Sequence, residues 1–152
     1  MTGASKSNEG IQELDEFIAS CAPGMVFFDV GAQFGAYSLT ALHYGSPGAS
    51  VVAFEPSRSA AKLMKRCLQF NYTGADLKIV EAAVGSHTGQ LSLGRTVYMM
   101  YEVDASRPSV HVPMISLDDF CSQGRALPTH LKIDVEGYEE MVLRGADNSN
   151  GR

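Results

Sequence analysis

The stretch Phe27-Phe28-Asp29-Val30-Gly31-Ala32-Gln33-Phe34-Gly35 constrains this chain more than any other. An apolar run ends at an acid, a glycine follows two residues later, and a second glycine opens a segment with helical spacing. The next apolar run, Ser50–Phe54, leads straight into Glu55. Strand, glycine turn, helix, strand and acid, in that order, form the framework of a nucleotide-type ligand site. Glycine lets backbone approach a ligand because it carries no Cβ. Helix amides leaving such a turn suit a carboxylate or phosphate. Glu55, as an acceptor-only group, suits two ribose hydroxyls. The plainer alternative is a tight strand–helix turn closed by the glycines, with Asp29 as a helix cap.

The spacing separates two ligand classes. Dinucleotide turns follow G-x-G-x-x-G, whereas this one reads Gly31-x-x-x-Gly35, with Gln33 where backbone would meet a pyrophosphate. Asp29 would repel a diphosphate. It suits a ligand bearing an ammonium and a sulfonium, so the residues favour S-adenosylmethionine over a nicotinamide cofactor.

Composition excludes several classes. With 152 residues, 45% of them hydrophobic, the chain can bury one core. A net charge of −5 without a basic block opposes nucleic-acid binding. No apolar run approaches the ~18 residues that would span a bilayer. The polar start, Met1–Gly10, lacks a signal-peptide pattern. Cys21, Cys67 and Cys121 are scattered and read as reduced thiols, which predicts a cytoplasmic protein. His43, His87, His111 and His130 lack ligand spacing, so no metal site is expected.

Helix and strand patterns alternate. Ile11, Leu14, Phe17 and Ile18 predict a helix over 9–20. Strands are expected at Met25–Asp29, Ser50–Phe54, Leu77–Val80 and Leu131–Asp134. Helices are expected at Ala36–Tyr44 (stopped by Gly45), at 58–70 capped by Ser57, at Leu117–Ser122 and at Tyr138–Arg144. Between them, 86–116 reads as β-hairpin decoration, with runs at Leu91–Leu93, Val97–Val103 and Val110–Ile115 and a mobile stretch at Asp104–Ser109. The pattern is α/β: a mostly parallel sheet with helices on both faces. It divides into a lead-in helix over 1–24, a ligand-binding domain over 25–146 and a polar tail over 147–152.

Five elements in order carry a family resemblance: Asp29-Val30-Gly31, Ala53-Phe54-Glu55-Pro56, Ala82-Ala83-Val84-Gly85, Ser116–Phe120 and Lys132-Ile133-Asp134-Val135-Glu136-Gly137-Tyr138-Glu139. From Met25 to Gly145 the chain resembles the FkbM-type family of S-adenosylmethionine-dependent methyltransferases. The resemblance implies a Rossmann-like class I methyltransferase fold, and O-methylation of a hydroxyl on a small molecule or sugar. It further implies that Asp29, Gly31, Ala32 and Gly35 line the methionine end of the cofactor. Glu55 would hold the ribose, and Pro56, Ala82 and Ala83 would flank the adenine. Asp134 would face the reacting methyl, and Asp134 and Glu136 are the candidate catalytic carboxylates; their plainer reading is an acidic pair ahead of a helix N-terminus. Where the family more often has Asn, this chain has Gln33.

One departure stands out. Only 18 residues follow Asp134, so the fifth strand and terminal hairpin of the class I fold are expected to be missing. A C-terminally truncated sheet would expose the fourth strand and promote self-association. It also keeps two other readings open: a non-catalytic cofactor-binding or interaction domain, and, behind it, a dinucleotide oxidoreductase. At Gly31 the reading predicts that Val would block the ligand yet leave the chain folded.

Overall fold

A computed structural model describes residues 3–71, 76–95, 101–102, 109–124 and 127–147. In chain order its elements are α1 (Gly3–Ser20), β1 (Val26–Val30), α2 (Ala36–Tyr44), β2 (Ser50–Phe54), α3 (Arg58–Asn71) and β3 (Asp76–Val80). Then come β4 (Ala83–Val84), β5 (Gly89–Arg95), β6 (Tyr101–Glu102), β7 (Ser109–Ile115), α4 (Leu117–Ser122), β8 (His130–Ile133) and α5 (Glu139–Arg144).

The main sheet has the order β3-β2-β1-β8. All of its pairings are parallel, with Asp29 opposite Ala53 on one side and Lys132 on the other. The chain steps outward from β1 to β3, then returns to the opposite flank of β1. That reversal leaves a crevice beyond the carboxyl ends of β1 and β8, where open parallel sheets bind ligands.

Both faces of β1 and β2 are apolar because both are covered. Phe28, Val30, Val52 and Phe54 pack on Leu117 and Phe120 of α4 and Val142 of α5. The rings of Phe28, Phe54 and Phe120 meet edge-on, with centroids 5.0–5.7 Å apart, an arrangement that adds about 0.5–1.5 kcal/mol per pair beyond burial. On the other face, Phe27 and Val51 pack on Ala41 and Leu42 of α2, with Phe17 of α1 against them. Ala53 and Met64 of α3 are fully buried there with Ala32. The outward residues Lys62, Lys65 and Arg66 of α3 are exposed, as its 3.6-residue period requires.

The expected hairpin is present: β5 runs antiparallel to β7, from Gly89 opposite Met114 to Gly94 opposite Ser109. Ala83–Val84, to which no element is assigned from the sequence, forms a two-residue parallel bridge to Met114–Ile115. Two residues are too few to show a period, so nothing in the sequence announced it. The bridge anchors a second sheet, β4-β7-β5-β6, at the end of β3. Other boundaries move by a residue: β1 and β8 each differ by one position at both ends, and α5 starts at Glu139 because Tyr138 is its N-cap. Helix α1 extends back to Gly3. Most of the Val97–Val103 run and Asp104–Pro108 lie outside the described residues, as does the tail after Asp147. No described helix is long and apolar enough to cross a membrane.

Candidate functional site

A cleft of about 750 Å³, open mouth included, lies beyond the carboxyl ends of β1, β2 and β8. Its floor is Val30, Gly31 and Phe54, and the second sheet supplies Ala83, Val84, Leu91 and Leu93. Glu55, Pro56, Ala82, Asp134 and Glu136, all singled out from the sequence, line it together with Gly31 and Ala83.

Glu55 is the best-fixed polar group in the cleft. It is buried, and its Oε1 accepts from the Ser57 amide at 2.7 Å while Oε2 accepts from the Gln33 amide at 2.8 Å. Burial raises its pKa, and the two amides partly offset that rise. Each carboxylate oxygen keeps a second lone pair, so Glu55 can still accept two vicinal hydroxyls.

The amides of the glycine turn itself close it: those of Gly31 and Ala32 donate to the Phe54 carbonyl at 3.0 and 3.1 Å, and that of Gly35 to the Ala32 carbonyl at 2.7 Å. Gly31 has φ +80°, and a Cβ there would overlap the carbonyl oxygen of Asp134 and sit 2.9 Å from its carbon. The expectation that Gly31→Val would leave the chain folded is therefore corrected: this glycine is what lets β1 and β8 close upon each other.

Asp29, Ala32 and Gly35 do not line the cleft, and each has a physical reason. Ala32 is packed into the core with Ala53 and Met64. A Cβ on Gly35 would lie 2.6 Å from Met64 Cγ, so its role is the packing of the turn on α3. Asp29 is directed to the α2 face, where its Oδ2 accepts from Ser38 Oγ at 2.7 Å. Its Oδ1 is buried with no hydrogen-bond partner among the described residues. Burial pushes the Asp29 carboxyl up, against the pull of Ser38 and Lys132.

At the β8 side, Asp134 is exposed, and its amide donates to the Val30 carbonyl at 3.0 Å. Its Oδ2 accepts from Lys132 Nζ at 3.1 Å, and that ammonium also lies 4.6 Å from the Tyr37 ring centroid. Strand β8 stops at Ile133, so Asp134 and Glu136 reach the cleft from a loop and not by strand alternation. Glu136 adopts φ +48°, uncommon for a residue with a side chain. The acid at the start of α5 is Glu139, whose carboxylate accepts from the Gly137 amide at 3.0 Å and is held below the usual range by it.

Sequence reasoning missed Phe34, Tyr138, Leu91 and Leu93, which complete the walls. Phe34 carried a signal: a large apolar residue between turn residues, here 53% exposed at the cleft. For Leu91 and Leu93 the alternation was visible, but not which sheet they would face. His130 binds Thr129 at the opposite end of β8, away from the cleft. No group of three metal-ligating side chains occurs among the described residues.

The model of the methyltransferase FkbM domain matches residues 29–150. The chain belongs to the FkbM methyltransferase family. A methyltransferase FkbM from Methylobacillus flagellatus KT has a similar structure, with a TM-score of 0.61 at 18% identity. The likeness covers 83% of this chain and 30% of that one, so the chain spans less than a third of that protein's length. Partial likenesses reach a cyclopropane synthase from Mycobacterium tuberculosis (TM-score 0.43, 17% identity, 91% of this chain and 59% of that one) and a putative rRNA-methylase from Clostridium thermocellum (TM-score 0.45, 12% identity, 47% and 39%). No curated protein matches the sequence significantly. The fold is α/β with a parallel central sheet, that of a family of methyltransferase domains.

Proposed function

We propose that the cleft holds S-adenosylmethionine and that the domain directs its methyl group to a hydroxyl of a small molecule or sugar. The observation that carries this reading is Glu55: a buried carboxylate at the end of β2, fixed by two amides, with lone pairs left for a ribose. Pro56, Ala82 and Ala83 supply an apolar wall beside it for adenine. The Gln33 amide is committed to Glu55 and cannot serve a pyrophosphate, which speaks against a dinucleotide.

When bound, the donor supplies an electrophilic methyl on a sulfonium. The protein's part is then positioning, because in-line displacement depends on near-attack geometry. Transfer of that methyl to a hydroxyl would require the hydroxyl to lose its proton. Asp134 and Glu136 are the carboxylates at the cleft wall able to take that proton. Among the described residues no lysine or arginine lines the cleft, which favours an uncharged acceptor over a phosphorylated one or nucleic acid.

A second reading keeps cofactor binding without turnover, since the chain spans only 30% of the FkbM structure it resembles. Calorimetry tests the shared premise. S-adenosylmethionine should bind, NAD should not, and Glu55→Gln should lower affinity by at least about tenfold, one charge-assisted hydrogen bond. The variant should also melt at a lower temperature, because its carboxamide nitrogen would face one of the two backbone amides from which Glu55 accepts; adenine affinity, read with a base lacking ribose, should be unchanged. Unchanged S-adenosylmethionine affinity would refute the ribose assignment.

A further inference from the structure

We propose that the β8 side of the cleft is a charge-selective wall that distinguishes the sulfonium donor from its neutral thioether product, with Glu136 as the deciding residue. This inference rests on the donor reading above and deepens it.

The cleft is polarised. Toward β3 and β4 its wall is Pro56, Ala82 and Ala83, all uncharged; toward β8 it carries Asp134 and Glu136. The two acids are not equivalent. Asp134 is paired with Lys132 at 3.1 Å, and Lys132 itself stands outside the cleft wall, over the Tyr37 ring. Glu136 makes no ion pair among the described residues. The third acid of the cleft, Glu55, has both oxygens engaged by amides. The uncompensated charge at the β8 end is therefore that of Glu136.

This polarity orients the donor. A flat neutral base goes to the apolar end, the ribose to Glu55 at the end of β2, and the cationic end crosses β1 toward β8. Two strand spacings, about 10 Å, separate β2 from β8. Donor and product share the same base, ribose and amino-acid end, and they differ in charge only at sulfur. A carboxylate on that side attracts the sulfonium, whose charge does not vary with pH, and gains nothing from the thioether. Because Glu136 is exposed, the attraction is screened and the difference is modest. The wall thus favours loading of donor over retention of spent product.

The test is calorimetry on the full chain with S-adenosylmethionine, S-adenosylhomocysteine and adenosine, for the wild type and Glu136→Gln. The substitution keeps the length of the side chain and removes its charge. The donor should bind about two- to fivefold more tightly than the product, the scale of a screened pair. Glu136→Gln should bring that ratio to about one while leaving adenosine affinity unchanged. Raising ionic strength from about 0.05 M to about 0.5 M should shrink the wild-type ratio. The inference is overturned if the wild type binds product as tightly as donor, or if Glu136→Gln weakens all three ligands alike. Failure of the wild type to bind any of the three would sink the donor reading itself.

Discussion

Gly31→Ala should destabilise the fold rather than merely the ligand complex. The glycine has φ +80°, where a side chain costs about 1–2 kcal/mol. The added methyl would overlap the Asp134 carbonyl oxygen and press on Val135 Cγ1 at 3.3 Å. Both belong to the segment that closes β8 upon β1, so a flexible side chain cannot simply swing away. Relief requires the seam to open, which gives up the Asp134 amide's bond to the Val30 carbonyl at 3.0 Å, worth about 1 kcal/mol. Overpacking of this kind costs a further 1–3 kcal/mol, roughly. The expected loss is about 3–6 kcal/mol, a large share of the roughly 5–15 kcal/mol that holds a domain together. Urea unfolding followed by circular dichroism measures it. Gly137→Ala is the control: it also has positive φ, but a Cβ there meets nothing within 4 Å. Its loss should stay near the conformational term alone, about 1–2 kcal/mol. If Gly31→Ala lost no more than this control, the close approach would not matter and the reasoning would fail.

Two further outcomes are expected. Burial raises the carboxyl of Asp29 above its ordinary value, so the folded chain takes up that proton at higher pH than the unfolded chain. Its contribution to stability is thus present below the ordinary carboxylate range and declines as pH rises through the raised folded value. Asp29→Asn should flatten the decline that begins above the ordinary carboxylate range; urea midpoints with the same pH slope in both proteins would count against it. Among the described residues β8 is an edge strand of the main sheet, with no neighbour beyond it. Unpaired edges invite partners, so sedimentation should show concentration-dependent association, and a monomer at every concentration would rule that out.

Much of the chain was legible from its residues because parallel sheets covered on both faces need continuous apolar runs. Ser50–Phe54, Ala36–Tyr44 and Leu117–Ser122 form the elements their patterns predict, to the residue. The order of these runs, with Glu55 closing the second, was enough to place a cleft at the carboxyl ends of the strands. Sequence determined that much because local periodicity and chain order are properties of the chain alone.

What it could not determine were relations between segments far apart in sequence. The partners of the turn amides belong to Phe54 and Glu55, and the atom that forbids a side chain on Gly31 belongs to Asp134. That Asp29 is directed to Ser38 and away from the cleft follows from the pleat of β1 within the assembled sheet. The pairing of Ala83–Val84 with Met114–Ile115 brings Leu91 and Leu93 to the cleft, and a two-residue bridge carries no periodic signal. Asp134 and Glu136 form one wall, yet only Asp134 has Lys132 as a partner. Residue type supplied the charges; packing across long sequence separations decided which of them stayed uncompensated.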